Sequence, residues 1–266
     1  MSDQPSPPVF AVDVGNSRIK FGLFAPADHS TSRLPACLHA AAVDVTSRIP
    51  WDDVSDWLQQ STVDAVTGII AGSNPKVRQQ IVDDWPADWP SPRLIDSPAG
   101  LPLQVDLPEP GQVGIDRLLN AVAADVLRAE ATPSIIVDSG TATTVDVLSA
   151  QGTFLGGAIL PGFELSAKAL HHDTALLPEI SVEELDSEEV SPLGRNTHDA
   201  LRSGLLYGQL GAVRELIDRL RPDEPQPFLL VTGGGGELLA RFLPAAQWEP
   251  HLALQGLAIV ARGTQP

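Results

Sequence analysis

Two stretches of this chain carry the same alternation of apolar and polar positions. Val9 to Phe24 reads VFAVDVGNSRIKFGLF, and Ser134 to Ser149 reads SIIVDSGTATTVDVLS. Each opens on an apolar run, reaches an aspartate at its end (Asp13, Asp138), turns at a glycine (Gly15, Gly140) and returns as a second strand pattern. Apolar residues on both faces mark Val9–Val14 as a central strand of a covered sheet. The two copies lie half a chain apart, which predicts duplicated domains facing each other across a shared site. At the positions of Arg18 and Lys20, position-for-position matching sets Thr143 and Val145 in the second copy.

The pattern between the copies repeats as well. After a returning strand at Ile19–Phe24, a third strand is expected near Cys37–Val43. A helix follows over Trp51–Gln60, with Trp51, Val54, Trp57 and Leu58 on one stripe. A buried strand is expected at Val66–Ala71, then a helix to about Asp84, capped by Asn74 with Pro75 in its first turn. Seven prolines between Trp85 and Pro110 predict connecting loops, with short strands near Arg93–Ile95 and Leu101–Val105. A long helix is expected from Gly114 to about Glu130.

The second half then restarts with strands at Ser134–Asp138, Thr143–Leu148 and Thr153–Leu160, and a helix from Pro161-Gly162 to Leu170. The acidic run Glu183–Glu189 reads as a solvated loop. Asn196 and Asp199 have capping-box spacing for a helix reaching Leu220. On it Gly204, Gly208 and Gly211 share a face, each costing about 1 kcal/mol against alanine. That face is expected to admit a second backbone, from this chain or from another copy. A strand at Phe228–Thr232, a glycine loop at Gly233–Gly236, and helices at Glu237–Phe242 and Leu252–Arg262 close the chain. Residues 1–8 read as disordered, 9–114 as the first domain and 115–266 as the second.

Strand-strand-strand-helix-strand-helix, written twice, predicts an α/β protein of mixed sheets opened by antiparallel strands and covered by helices. Ligands of such sheets bind outside the strand ends. With 43% apolar residues the chain can bury a core. Its net charge of −17 argues against nucleic acid or an anionic membrane as partner. A phosphate ligand must then be held locally, by backbone N–H groups, a few cations and a metal. Only three lysines are present, and Lys20 lies in the first hairpin. The lone Cys37 excludes an internal disulfide, and no Cys/His spacing suits zinc. The segment MSDQPSPPVF lacks the basic and apolar regions of a signal peptide, and no apolar run approaches membrane-spanning length. A soluble, cytoplasmic protein is expected.

No P-loop and no G-x-G-x-x-G occurs, so any phosphate chemistry must reside in the hairpins. Gly15 and Gly140 let the backbone turn sharply and present N–H donors to an anion. Asn16, Ser17, Thr141, Thr143 and Thr144 add short donors, and Asp13 or Asp138 could hold a metal or a water. Arg18 and Lys20, two apart on a strand, share a face and suit phosphate oxygens. Either hairpin alone would read as an ordinary turn; two copies favour a ligand site. Gly114–Arg117 by itself reads as a helix-start cap. Gly233–Gly236 reads as a flexible turn or a close approach to a nucleotide.

Taken together, VDVGNSRIKFGLF, VGIDRLLNAVAA, VDSGTATTVDVL, LGGAILPG, LGRNTHDALRSGLLYG and TGGGGELL resemble type III pantothenate kinase over residues 9–262. That family belongs to the acetate-and-sugar-kinase/heat-shock/actin-like superfamily. The resemblance implies duplicated ribonuclease-H-like (actin-like ATPase) domains with a ligand cleft between the halves. It implies ATP-dependent phosphorylation of pantothenate to 4′-phosphopantothenate, the first step of coenzyme A biosynthesis, by a homodimer. Asp13, Val14, Gly15, Asn16, Ser17, Arg18, Ile19 and Lys20 would receive the phosphates of ATP, with Asp13 organising their Mg²⁺, and Thr141 would also contact ATP. Gly114, Ile115, Asp116 and Arg117 would lie against pantothenate, with Asp116 as general base, and Thr197 would touch the same substrate. Asp138 would coordinate a monovalent cation, K⁺ or NH₄⁺. The family's usual substrate-facing tyrosine falls at Leu107, a departure, and Ser17 replaces the commoner threonine. Leu107 favours a non-catalytic transcription-accessory regulator on the same fold; retention of Asp13, Asp116 and Asp138 favours the enzyme. Another small-molecule kinase of the superfamily stays open at this point.

Overall fold

The alternating pattern of the first hairpin becomes two paired strands, β1 (Val9–Val14) and β2 (Arg18–Phe24). The structure is a computed structural model describing residues 7–26, 33–60, 66–186, 189–221 and 226–263. Most of the segment expected to be disordered, residues 1–6, lies outside that range. All six residues of β1 are buried, because β2 flanks it antiparallel and β4 (Thr67–Gly72) flanks it parallel. β3 (Cys37–Asp44) closes one edge and β5 (Arg93–Ile95) the other, giving the order β3-β2-β1-β4-β5. Helices α1 (Trp51–Gln60) and α2 (Pro75–Asp83) cover this sheet; Asn74 caps α2 by accepting from the Val77 N–H. Phe10 sits at the centre of the core, ringed by Trp51, Trp85 and Trp89. After β5 the proline-rich connection contains a two-residue strand, β6 (Gln104–Val105), and two 3₁₀ turns before α3 (Ile115–Leu127).

The second unit repeats this plan. β7 (Ser134–Ser139), β8 (Ala142–Leu148) and β9 (Thr153–Pro161) form the antiparallel triplet, followed by α4 (Phe163–His172), α5 (Val182–Asp186) and α6 (Thr197–Leu220). β10 (Phe228–Thr232), α7 (Gly236–Ala240) and β11 (Gln247–Trp248) complete the unit, and α8 (Leu252–Arg262) ends the chain. Its own strands run β11-β10-β7-β8-β9, with β10 parallel to both β7 and β11. The two sheets therefore share one topology, that of the ribonuclease-H-like domain.

The compact units divide differently from the 9–114/115–266 boundary. The first comprises the chain up to Leu127 together with the segment from His251 onward, and the second spans Arg128–Pro250. The reason lies in two helices: α3 packs along α8, and α8 packs on β1, β2 and β4 of the first sheet. Nine consecutive residues of α8, Leu252 to Val260, are buried, as befits a helix apolar nearly all round. Arg93 on β5 donates to the Val260 carbonyl at 3.2 Å, tying the end of α8 to the sheet edge.

The acidic run is more ordered than a solvated loop, although Glu188 lies outside the described residues. Val182–Asp186 forms α5 because Ser181 and Glu184 make a reciprocal capping box: the Ser181 N–H donates to Glu184 Oε1 at 3.0 Å, and the Glu184 N–H donates to Ser181 Oγ at 3.2 Å. His198 Nε2 lies 2.8 Å from the other Glu184 oxygen. The Ser181 N–H, and after it His198, hold the Glu184 carboxyl below its ordinary value. A lowered folded value means that this charge contributes stability above the unfolded value, about 4.3, and loses it as pH falls through the folded one. Melting curves of Glu184→Gln and the parent chain should accordingly differ at neutral pH and draw together only as the pH falls from about 4.3 through the lowered folded value. A difference that persists undiminished in acid would contradict the assignment.

Candidate active-site hairpins

In the first unit, β1–β2 register sets Asp13 opposite Lys20 and Val14 opposite Ile19, leaving a four-residue turn from Gly15 to Arg18. The Gly15 N–H closes it onto the Arg18 carbonyl at 3.0 Å. Asp13 is 4% exposed, and directly paired residues point to the same side of a sheet, so a nearly buried carboxylate and an ammonium share one face. Arg18 is exposed and Ile19 buried, which puts Arg18 and Lys20 on a common face as expected. Val14 and Ile19 belong to the core, so they can meet a ligand only through backbone atoms. Asn16 is exposed at the turn; Ser17 is half-buried, and its carbonyl accepts the Val45 N–H at 3.0 Å. Gly72, at the end of neighbouring β4, has φ +149, and a side chain there would begin 2.3 Å from the Val14 carbonyl oxygen. The Ser73 N–H donates to that same oxygen at 2.9 Å, so Gly72 and Ser73 abut the hairpin.

The second hairpin has a shorter turn. Asp138 pairs with Thr144 and Ser139 with Thr143, leaving three residues, Gly140 to Ala142, closed by the Gly140 N–H on the Ala142 carbonyl at 3.0 Å. That one-residue difference corrects the position-for-position match. The counterpart of Lys20 is Thr144, not Val145, which is fully buried in the core on the opposite face. Asp138 therefore has threonines on both sides, Thr144 on β8 and Thr232 on β10, where Asp13 has Lys20 and Ala71. Such an oxygen-only row suits a hard cation. Among the described residues no cluster of three or more His, Cys, Asp or Glu could hold a metal.

Backbone contacts gather further loops round this turn. The Gly162 N–H donates to the Thr141 carbonyl at 3.0 Å, and the Gly235 N–H to the Ser139 carbonyl at 2.8 Å. A Cβ on Gly162 would lie 2.2 Å from the Gly140 oxygen, and one on Gly233 (φ +90) would lie 2.4 Å from Asp138 Oδ1. Glycine is thus required where the loops close on one another. Thr141 is exposed at the tip. In the sequence Gly162 and Gly72 carry weak signals, a Pro-Gly pair and a glycine that follows an apolar run.

The remaining candidates lie at helix starts. Gly114, Asp116 and Arg117 are half-buried and Ile115 is buried. Asp116 Oδ1 accepts the Arg117 N–H at 2.9 Å. Leu107 is half-buried in the loop leading toward α3. Thr197 is exposed in the first turn of α6, after the Asn196 cap whose Oδ1 accepts the Asp199 N–H at 2.8 Å. Among the described residues, a Cβ on Gly204, Gly208 or Gly211 would meet nothing within 4 Å, so no described backbone uses the open space on that face.

Residues 9–219 match the family model for type III pantothenate kinase. The chain belongs to that family. A type III pantothenate kinase of Synechococcus elongatus is 34% identical over 252 residues, covering 94% of each chain. One from Alkalilimnicola ehrlichii is 32% identical, over 94% of this chain and 96% of its own. Among solved structures, the activator of the 2-hydroxyisocaproyl-CoA dehydratase from Clostridium difficile, with bound ADPNP, has a TM-score of 0.55 at 13% identity, covering 96% of this chain and 94% of its own. At that identity it shows the shared actin-like fold. In this type III pantothenate kinase the two hairpins share one topology, and each carries an aspartate as the next-to-last residue of its first strand, Asp13 in β1 and Asp138 in β7.

Proposed function

We propose that this protein transfers the γ-phosphoryl group of ATP to the primary hydroxyl of pantothenate, giving 4′-phosphopantothenate and ADP as the first step of coenzyme A biosynthesis. The observation that carries the proposal is the family match across residues 9–219, with Asp13, Asp116 and Asp138 all retained. Phosphoryl transfer needs in-line placement and charge neutralisation more than covalent help. The first hairpin fits a phosphate grip: turn N–H groups with Arg18 and Lys20 on one face. Thr141, at the tip of the second turn, is proposed to contact ATP. Gly114, Ile115, Arg117, Leu107 and Thr197 are proposed to bound pantothenate, and Asp116 to accept its hydroxyl proton as the oxygen attacks phosphorus. Mg²⁺ near Asp13 and a K⁺ or NH₄⁺ at Asp138 would supply the remaining charge neutralisation for the phosphates. The threonine row beside Asp138 supports a monovalent site there, since a second fixed cation like Lys20 is replaced by neutral oxygens. A cytoplasmic homodimer is proposed as the working form, with the open glycine face of α6 as one contact.

Incubating the protein with ATP, Mg²⁺, pantothenate and KCl or NH₄Cl should yield 4′-phosphopantothenate by mass spectrometry. Asp138→Asn should lower the rate and remove its dependence on the monovalent cation. No product under either salt would reject the proposal. A cation response that survives in Asp138→Asn would reject the cation assignment alone.

A further inference from the structure

Helix α6 turns an apolar face toward the second sheet, with Leu205, Leu206, Leu210 and Val213 in the core. Gln209 interrupts that face and is 7% exposed. A buried amide is costly unless it is hydrogen-bonded, and this one is used: its Nε2 donates to Thr143 Oγ1 at 2.6 Å. The Thr143 hydroxyl in turn donates to Ser139 Oγ at 3.4 Å. Ser139 and Thr143 are fully buried and are the last cross-strand pair before the turn Gly140–Ala142. Ser139 also accepts the Gly235 N–H through its carbonyl, and its Oγ lies 2.7 Å from where a Gly235 Cβ would sit. One side chain in the middle of α6 thus braces the base of the hairpin and, through Ser139, the glycine loop, from the face of the sheet opposite Asp138.

We infer that Gln209, acting through Thr143 and Ser139, is a positioning residue for the nucleotide: it holds the Gly140–Ala142 turn and the Gly233–Gly236 loop in the spacing that receives ATP. The inference rests on the ATP reading above. None of the three side chains touches the reacting atoms, so their effect falls on nucleotide affinity and not on the chemical step. Gln209→Leu removes the donor at similar volume, and Thr143→Val removes the relay hydroxyl while keeping its shape.

Each variant is expected to raise KM for ATP, and Kd for ADP by calorimetry, about three- to tenfold, the value of one hydrogen bond. KM for pantothenate and kcat should stay within about twofold. Thr143→Ser, which keeps the hydroxyl, should restore parental ATP affinity, and the double variant should be no worse than either single one. Equal weakening of both substrates, unchanged ATP affinity with a lowered melting temperature, or additive effects in the double variant would overturn the inference. A parent chain that binds ADP but leaves pantothenate unphosphorylated would overturn the proposed reaction only, since the calorimetric comparison still decides the role of Gln209. If the parent chain fails to bind ADP, both fall.

Discussion

Asp116→Asn is expected to lower kcat by about 10²–10⁴-fold, the usual contribution of a positioned general base, while leaving ATP binding intact. Asparagine is the informative replacement because of what Asp116 does locally. Its Oδ1 accepts the Arg117 N–H at 2.9 Å at the start of α3, and an asparagine Oδ1 can accept the same bond. The helix start, and the packing of Ile115 and Leu118 behind it, are then preserved, and what is lost is basicity. Steady-state assays should show the fall in kcat, with ADP affinity by calorimetry and the melting temperature close to the parent values. Parental turnover in the variant would reject Asp116 as the base. A parallel collapse of stability would instead assign it to holding the helix.

The second large effect is on stability. Gly256→Ala is expected to cost about 3 kcal/mol, at the upper end for overpacking a core. Gly256 lies in the buried stretch of α8, and an added Cβ would sit 2.1 Å from the Leu119 carbonyl oxygen and 2.8 Å from its carbon. Those are backbone atoms of α3, so no rotamer change relieves the clash; the helix crossing must open. Because α8 also lies on β1, β2 and β4, the displacement reaches the strand that carries Asp13. Denaturant unfolding should show a lower midpoint with little change in slope. An unfolding free energy within about 0.5 kcal/mol of the parent, the range of an ordinary surface change, would show that the crossing is looser than described.

Most elements were legible because their signals are local. The alternation in Val9–Phe24 and Ser134–Ser149, the cap at Asn74, and the cap at Asn196 on the Asp199 N–H need only neighbours a few residues away. The strand β11 left no such signal: two residues, Gln247 and Trp248, qualify as a strand only because Leu230 and Val231 lie beside them. The short helix α5 was hidden by its charge, and became visible once Ser181 and Glu184 were seen to cap each other. Gly204, Gly208 and Gly211 suggest a close approach in sequence, yet an added Cβ at each meets nothing within 4 Å among the described residues. Gly256, which does meet a backbone, looked unremarkable in sequence because Leu119 is far away along the chain.

By itself the amino-acid sequence determined the duplicated strand-turn-strand plan, the family, and the residue types at each turn, since apolar periodicity and turn chemistry are written in adjacent residues. Tertiary structure alone decided which residues face one another. A turn one residue shorter places Thr144, not a cation, across from Asp138; two distant helices meet at Gly256 and place α3 and α8 in the first unit; and Gln209 reaches Thr143 from the middle of α6. Register and packing of this kind depend on hydrogen bonds and contacts between segments remote in the chain, which no local pattern encodes.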